Sequence, residues 1–319
     1  MHIVLLLIIY IDHFNASSYH RGFSKMTQPA LSTTPMEQLL ETLDLEVLEV
    51  NLFRGTSPQV GWQRVFGGQV IAQALVAAQR CVEANRHIHS LHAYFMRPGD
   101  PAVPIVYEVE RIRDGASFAT RRVVAIQHGK AIFSMSASFQ YDEEGLDHQV
   151  DMPTVVPPEK LMAEADFRQM FLAQAPESVK KYWGRERPVE FRPTSFTHYM
   201  SSEKLEPTSD IWVRLTGPVP NDRGLQAAVL AYLSDMTLLD VSLYAHGMSI
   251  FDRRIQAASL DHAMWFHRPS QLDDWMLYSQ DSPSTSGGRG MSRGSLYTRS
   301  GQLTASVAQE GLIRKRADD

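Results

Sequence analysis

The apolar residues of this chain repeat with two different periods, and both periods occur in each half of the sequence. In residues 70–80, and again in residues 224–243, apolar side chains recur every three or four positions, which predicts a helix. In residues 103–140 and 275–309 the pattern changes to β-branched or alternating runs, separated by turn dipeptides such as Asp114-Gly115. Each half is therefore predicted to contain one main helix followed by an antiparallel meander.

Smaller elements are predicted on the same grounds. These are a short helix over 36–45, a strand with a turn over 51–65, and strands over 89–98, 189–192, 211–216 and 259–269. Residues 142–187 differ from both halves because Pro153, Pro157 and Pro158 interrupt them. The polar stretch 159–183 that follows is predicted to be helical, so this region is interpreted as a partly ordered linker.

A short motif occurs twice and indicates an internal duplication. The run Leu91-His92-Ala93, which ends in Arg97-Pro98, matches Asp261-His262-Ala263, which ends in Arg268-Pro269, with one residue inserted. The last hairpins also correspond, since His128-Gly129 matches Ser300-Gly301. We predict that the two copies pack side by side into one extended sheet. The predicted boundaries are 36–141 for the first domain, 142–187 for the linker and 188–319 for the second domain.

The first 35 residues are predicted to be an extension outside the folded domains. Residues 3–11 form an apolar run, but a bilayer needs about 20 such residues. The basic start and the small-residue cleavage site of a signal peptide are also missing. We expect an artefactual extension, disordered where it is translated, with Met26 or Met36 as the natural start. Secretion is the alternative.

Composition narrows the class of protein. Of the 319 residues, 44% are apolar and 21% are charged, which is typical of a globular protein. The net charge is −5 and the basic residues are dispersed, so neither a nucleic acid nor a membrane is predicted as a partner. Cys81 is the single cysteine, so no internal disulfide can form, and we predict a packing role for it.

Asp235 is the unusual residue of the second predicted helix because its neighbourhood is largely apolar. Burying a carboxylate is costly unless it is hydrogen-bonded, so a buried Asp235 would indicate a functional site. The alternative is that Asp235 lies on the solvent-facing side of the helix. Spacing alone does not decide between the two.

Four stretches of sequence do bear on that choice. They are Phe66-Gly67-Gly68-Gln69-Val70, Ser234-Asp235, the run 261–269 (Asp-His-Ala-Met-Trp-Phe-His-Arg-Pro) and Val307-Ala308-Gln309-Glu310-Gly311. Together they resemble the bacterial acyl-CoA thioesterase II family over residues 36–314. The resemblance implies an α+β fold, the double hotdog, in which two tandem domains each wrap an antiparallel sheet around a long helix. It also implies hydrolysis of fatty acyl-CoA to fatty acid and CoA.

The resemblance further implies a set of site residues. In that family an Asp on the second hotdog helix, a Ser or Thr on the next strand and a Gln near the C-terminus hold the hydrolytic water. Carried over by motif, these are Asp235 as general base, with Ser259 and Gln309 orienting the water. No covalent intermediate, metal or organic cofactor is required. The backbone at Gly67, Gly68 and Gln69 is the candidate oxyanion or substrate-binding site, since it begins a helix.

Each of these assignments has an ordinary structural alternative. Gln309 could satisfy a strand edge, and Ser259 could be a plain strand hydroxyl. Asp261 is the rival carboxylate, and we predict that it orients His262. His262 and His267 are five positions apart on a strand, so they are predicted to face opposite sides of the sheet.

Two other patterns are set aside. Residues 290–294 fit Gly-x-Ser-x-Gly, but a nucleophile elbow needs a following helix and a later histidine, and neither is predicted here. His87, His89 and His92 suggest a metal, yet strand alternation divides them between two faces.

The resemblance also leaves alternative functions and gives expectations about the cell. A hotdog enoyl-CoA hydratase and a non-catalytic acyl-CoA-binding protein are the rival functions. A homo-oligomer is expected, either a dimer or a tetramer of double hotdogs. A peroxisomal relative ends in a Ser-Lys-Leu-type signal, whereas this chain ends in Ala317-Asp318-Asp319, so we expect a cytoplasmic bacterial protein.

Overall fold

A computed structural model describes residues 34–59, 63–172, 180, 184, 186–270 and 272–316. The α-helices are α1 (Pro35–Leu43), α2 (Gly67–Gln79), α3 (Glu164–Leu172), α4 (Thr197–Met200) and α5 (Arg223–Ser234), and 3₁₀ helices span Pro158–Lys160 and Asp240–His246. The strands are β1 (Glu46–Glu49), β2 (Leu52–Gly55), β3 (His87–Phe95), β4 (Ile105–Asp114), β5 (Phe118–Gln127), β6 (Lys130–Gln140), β7 (Val189–Pro193), β8 (Thr208–Leu215), β9 (Ile255–Ser259), β10 (Asp261–Phe266), β11 (Met276–Ser286), β12 (Arg289–Thr298) and β13 (Leu303–Lys315). The predicted extension 1–35 lies outside the described residues, apart from Thr34 and Pro35.

The strands form one 13-stranded sheet that runs through both halves of the chain. Its order is β1-β2-β4-β5-β6-β3-β10-β13-β12-β11-β8-β7, and β9 pairs with β13. The pairing of β3 with β10 joins the two halves. From this central pair the order runs outward through β6, β5, β4 and β2 on one side and through β13, β12, β11 and β8 on the other. The predicted extended sheet is therefore confirmed, and its two halves are related by an approximate two-fold axis. The domain boundaries 36–141 and 188–319 stay a prediction.

The central strands correct the alignment of the repeat by one residue. Leu91 and Ala93 are buried on the inner face of β3, whereas His92 is exposed. On β10 the buried residue opposite Ala93 is His262. Aligning the two prolines that follow the strands, Pro98 and Pro269, then places His262 at the position of Leu91. The prediction that His92 corresponds to His262 was wrong, because His92 lies on the exposed face of β3 and His262 on the buried face of β10.

The helices α2 and α5 pack against one another in opposite directions under the sheet. α2 is apolar on nearly every side and is almost completely buried, as expected for a core helix. At one end its second residue, Gly68, contacts the backbone of Tyr232 in α5. At the other end Gln79 Nε2 donates to the carbonyl oxygen of Gly224 at 3.1 Å. The beginning of each helix thus lies beside the end of the other.

The second helix is shorter than its apolar period predicts. The prediction was 224–243, but α5 ends at Ser234. Thr237 then adopts a left-handed conformation with φ of 68°, which a continuing helix does not permit. The apolar pattern continues because Leu238, in the turn before the 3₁₀ helix, and Val241, within it, are also buried.

Two predicted strands also differ from the structure. The strand expected in 51–65 is the hairpin β1–β2, which lies earlier in the chain and turns at Asn51, where φ is 61°. The strand expected in 259–269 is divided at Leu260 into β9 and β10. The meander strands β4, β5 and β6 agree with their predicted ranges to within two residues. In the linker, the predicted helix is observed as α3, and much of 173–185 lies outside the described residues.

The close crossing of α2 and α5 predicts that Gly68→Ala destabilises the fold. A Cβ at Gly68 would lie 2.4 Å from the carbonyl oxygen of Tyr232, which is backbone and cannot move aside alone. Alanine favours a helix by about 1 kcal/mol over glycine, but overpacking costs about 1–3 kcal/mol, so the clash should outweigh the gain. Urea unfolding measures the difference. The control is Gly145→Ala, whose Cβ meets nothing within 4 Å. An unchanged or higher unfolding free energy for Gly68→Ala would contradict the crossing.

Candidate functional site

Asp235 is the C-terminal capping residue of α5, where the chain leaves the helix. Two side chains of β11 hold this turn through hydrogen bonds. Tyr278 Oη donates to the carbonyl oxygen of Ser234 at 2.7 Å, which satisfies a group that helix geometry leaves open. Gln280 Nε2 donates to Thr237 Oγ1 at 2.8 Å. The position of Asp235 therefore follows from where the helix stops.

The three predicted catalytic side chains lie together. Ser259 is the last residue of β9, and Gln309 lies on β13. Gln309 Nε2 donates to Ser259 Oγ at 2.6 Å, and Ser259 Oγ donates to Asp235 Oδ1 at 3.5 Å, the limit of a hydrogen bond. The Gln309 side chain also lies close enough to the Asp235 carboxylate to lower its pKa. A serine and an amide thus direct hydrogen-bond donors at one carboxylate.

The first turn of α2 reaches the same carboxylate. The Gly68 backbone N–H interacts with Asp235 and lowers its pKa, and a Cβ at Gly67 would lie 2.7 Å from Asp235 Oδ2. Glycine is therefore needed here for a close approach of the backbone. The Gln69 side chain turns away from Asp235, since its Nε2 donates to Ser57 Oγ at 2.9 Å. Gly67 and Gly68 are brought to Asp235, and the side chain of Gln69 is not.

The environment of Asp235 gives it an unusual pKa. Burial raises the pKa of the carboxyl from 3.8 to about 7, against the hydrogen bonds from Gln309, the Gly68 N–H and Ser259, which lower it. The hydrogen-bond donors are all neutral, so no cation holds the carboxylate in its charged form. The negative end of the α5 dipole, at which Asp235 lies, also disfavours that charge. A base with a pKa near 7 is well matched to proton transfer at neutral pH.

His262 is the site residue that the sequence did not reveal as such. It is fully buried on β10, with Nδ1 at 2.9 Å from Gln309 Oε1 and Nε2 at 2.9 Å from Ser234 Oγ. The predicted role of Asp261 was wrong, because Asp261 Oδ1 accepts the backbone N–H of Glu310 and does not contact the imidazole. The signal that could have found His262 was the alternation of inward and outward residues along β10, which places it on the inner face.

His262 is also uncharged. Burial lowers its pKa to about 4, and the hydrogen bond with Gln309 opposes this shift. The prediction that His262 and His267 face apart is confirmed, since His267 is exposed and its Nε2 bonds Ser306 Oγ instead. At neutral pH, Asp235 is thus surrounded by a neutral imidazole, an amide and hydroxyls.

The two-fold repeat provides an internal comparison for this cluster. Matching the second residues of α2 and α5, which are both glycines, places Gln79 at the position of Asp235. The shift that aligns Leu91 with His262 places Ile88 at Ser259, and the pairing of Leu91 with Ala137 places Ala137 at Gln309. At the repeated end the carboxylate is absent, and three of the four counterparts are aliphatic.

The patterns set aside from the sequence have ordinary structural roles. Residues 290–294 lie within β12, so the strand-to-helix turn of a nucleophile elbow is absent, as predicted. His87 and His89 are half-buried on β3 and His92 is exposed. Across the described part of the chain, His, Cys, Asp and Glu side chains do not converge in groups of three as metal ligands do. In that same part, every helix is too short or too polar to cross a membrane.

Comparison with known proteins identifies the family. The family profile described as acyl-CoA thioesterase matches residues 179–312, and its N-terminal-domain profile matches residues 54–140. Acyl-CoA thioesterase 2 of Haemophilus influenzae is 39% identical, over 88% of this chain and 98% of that protein. Acyl-coenzyme A thioesterase 8 of Homo sapiens is 41% identical, over 85% of this chain and 87% of that protein.

Solved structures agree with the fold. The crystal structure of acyl-CoA thioesterase II TesB2 from Mycobacterium marinum matches with a TM-score of 0.71 and 41% identity, over 88% of this chain and 99% of that one. A hot dog fold protein of unknown function from Alicyclobacillus acidocaldarius matches with a TM-score of 0.72 at 20% identity, over 88% and 99% of the chains, which bears on the fold alone. The predicted double hotdog is confirmed, and the chain belongs to the acyl-CoA thioesterase family.

Proposed function

We propose that this protein hydrolyses fatty acyl-CoA to the free fatty acid and CoA, with Asp235 as the general base. The observation that carries the proposal is the grouping of Asp235 with Gln309, Ser259 and the first turn of α2, where burial raises the pKa of the carboxyl to about 7. A base of this kind is what hydrolysis by water at neutral pH needs. The relatives named as acyl-CoA thioesterases support the choice of substrate.

The proposed reaction proceeds by direct attack of water on the thioester. Asp235 takes a proton from the water as the water oxygen forms a bond to the thioester carbon. Gln309 and Ser259 orient the water, because an amide and a hydroxyl can each donate and accept hydrogen bonds. The tetrahedral intermediate then collapses, the carbon–sulfur bond breaks, and CoA leaves as a thiolate that takes up the proton held by Asp235, which regenerates the base. The products are a carboxylic acid and the free thiol.

The beginning of α2 is the proposed site for the developing oxyanion. The first N–H groups of a helix have no intrahelical acceptors, and the helix dipole places positive charge there. Gly68 already donates to Asp235, so Gly67 and the backbone of Gln69 are the remaining donors of this turn. Gly67 has a second role, since any side chain there would occupy the space next to Asp235 Oδ2. The homo-oligomer and the cytoplasmic location stay predictions.

Free-thiol release from short, medium and long acyl-CoAs tests the reaction and the base together. We expect release by the wild-type enzyme and a fall of about 10³-fold or more in kcat for Asp235→Asn, which keeps the shape but cannot take the proton. KM should change little. Gln309→Leu and Ser259→Ala should lower kcat by smaller factors, since Asp235 remains.

Three outcomes would contradict parts of this proposal. Thioester that is bound but not cleaved would indicate the acyl-CoA-binding protein. Consumption of an enoyl-CoA with its thioester intact would indicate the hydratase. Full turnover by Asp235→Asn would keep the hydrolase and remove Asp235 as its base. Asp261→Asn is the matched control, because that carboxylate accepts a backbone N–H outside the catalytic cluster.

The pKa of Asp235 predicts the pH dependence of the enzyme. The base acts only when it is ionised, so kcat/KM should rise tenfold per pH unit below pH 7 and level off above it. A plateau that extends down to pH 5 would show that the base titrates near the ordinary value of an aspartate. Steady-state rates from pH 5 to pH 9 measure this.

The same carboxylate should lower the stability of the protein above neutral pH. A carboxyl whose pKa is higher in the folded state favours folding when it is protonated, so this contribution is lost as pH rises from about 4 through 7. Asp235→Asn should therefore raise the unfolding free energy at pH 8 by about 2 kcal/mol, allowing for partial contact with solvent, and by much less at pH 5. Urea unfolding at both pH values measures the difference. An equal effect at both would contradict a raised pKa.

A further inference from the structure

We propose that His262 is a positioning residue, which orients the side-chain amide of Gln309 so that its NH₂ group faces Ser259 and Asp235, and that Ser234 completes the hydrogen bonding of the imidazole tautomer this requires. The inference rests on the proposed function, because it explains how the hydrogen-bond donors around the base are held. His262 is fully buried, so its role is exerted through Gln309 and not through the substrate.

The orientation of the amide follows from which groups can donate. An ionised carboxylate only accepts hydrogen bonds, so Ser259 Oγ must donate its one hydrogen to Asp235 Oδ1. Ser259 Oγ can then only accept from Gln309, so the Gln309 atom that faces it at 2.6 Å must be Nε2. Gln309 Oε1 then faces His262 Nδ1 at 2.9 Å, and a carbonyl oxygen can only accept. Nδ1 must therefore carry the proton.

The tautomer is completed on the other side of the ring. With the proton on Nδ1 of a neutral imidazole, Nε2 has a lone pair and needs a donor. Ser234 Oγ lies 2.9 Å from Nε2 and also 2.9 Å from the carbonyl oxygen of Ala231. The hydroxyl has one hydrogen, and donating it to Nε2 is the choice that is compatible with a proton on Nδ1. Ala231 is a helix residue in α5, and a carbonyl with two lone pairs tolerates this loss.

The result is a chain of hydrogen bonds with a single direction. Ser234 donates to His262, His262 donates to Gln309, Gln309 donates to Ser259, and Ser259 donates to Asp235. Reversing any one link reverses its neighbours, since each side chain must donate on one side and accept on the other. The chain therefore discriminates between the two orientations of the amide, although packing alone does not.

The duplicated half shows that the fold itself does not need this histidine. Leu91 occupies the corresponding position on β3, opposite Ala137 where the second half has Gln309. A leucine of comparable size thus fills the inner face where no amide needs orienting. Histidine is found in the half of the fold that has Gln309 and Asp235, which associates it with the cluster and not with packing.

The test compares His262→Leu, which reproduces the residue of the other half, with His262→Asn. Leucine leaves Gln309 Oε1 without a donor, so the amide can turn its oxygen toward the carboxylate. We expect kcat to fall by about 10–100-fold, in line with other residues that orient an active-site side chain, and KM to change less than twofold. The Asn side chain can place an N–H where Nδ1 lies, and should recover at least tenfold of the loss. Ser234→Ala should lower kcat by about 3–10-fold.

The pH profile separates orientation from general damage. The hydrogen bond from Gln309 lowers the pKa of Asp235, so loss of the ordered amide should move the acid limb of kcat/KM to higher pH. Damage to the fold would lower the active fraction equally at every pH. Leu91→Met, which alters the equivalent inner position on β3 without touching the hydrogen-bond chain, is the control and should keep the wild-type limb.

Two results would overturn the role of His262. One is a folded His262→Leu enzyme with wild-type kcat and an unmoved acid limb. The other is an equal loss in His262→Leu and His262→Asn with an unmoved limb, which would show a packing role. Asp235→Asn, measured beside them, keeps the two proposals distinct. If it retains turnover, the proposed base fails, whereas an inactive Asp235→Asn with a normal His262→Leu removes the role of His262 alone.

Discussion

The rest of the site depends on one constraint, which is that a carboxylate lies at the junction of two antiparallel helices without a cation beside it. Asp235 ends α5 while Gly67 and Gly68 begin α2, so the charge meets one unfavourable and one favourable helix end. Desolvation then decides the balance and raises the pKa to about 7. An arginine or lysine in place of Gln309 would have stabilised the charge and weakened the base. A neutral amide supplies direction instead, with a smaller effect on the proton affinity.

The duplication explains why such a junction exists and why it occurs in this form once. Two antiparallel helices related by a two-fold axis produce two equivalent junctions, each with a helix beginning beside a helix end. At the other junction Gln79 replaces the carboxylate and bonds the backbone of Gly224, so the need for hydrogen bonds is met without a charge. Aliphatic side chains occupy the places of Ser259, His262 and Gln309. The fold therefore accommodates both sets of side chains, and the polar set is the one that costs stability.

The sequence predicted the sheet and both main helices, because periodicity is a property of neighbouring residues. The grouping of Asp235, Ser259 and Gln309 came from the family resemblance. The sequence did not predict where α5 ends, since buried residues continue the apolar period past Ser234 into a 3₁₀ segment. The proposed role of His262 depends on contacts between distant elements and on which face of β10 turns inward, and a one-residue error in the alignment of the repeat was enough to assign the wrong face.

The hydrogen-bond chain connects these features into one system. A fully buried imidazole with a pKa of about 4 stays neutral near neutral pH, so in the proposed mechanism it directs the amide without competing for the proton that Asp235 accepts. In that mechanism protons are exchanged only between the carboxylate, the water and the leaving thiolate, and the amide supplies N–H groups. Because every member apart from Asp235 is neutral, the only charge that changes in the site is that of the Asp235 carboxyl group. A base with a pKa near 7 can then be surrounded by groups that do not titrate with it, and the fold has only to fix the direction of their hydrogen bonds.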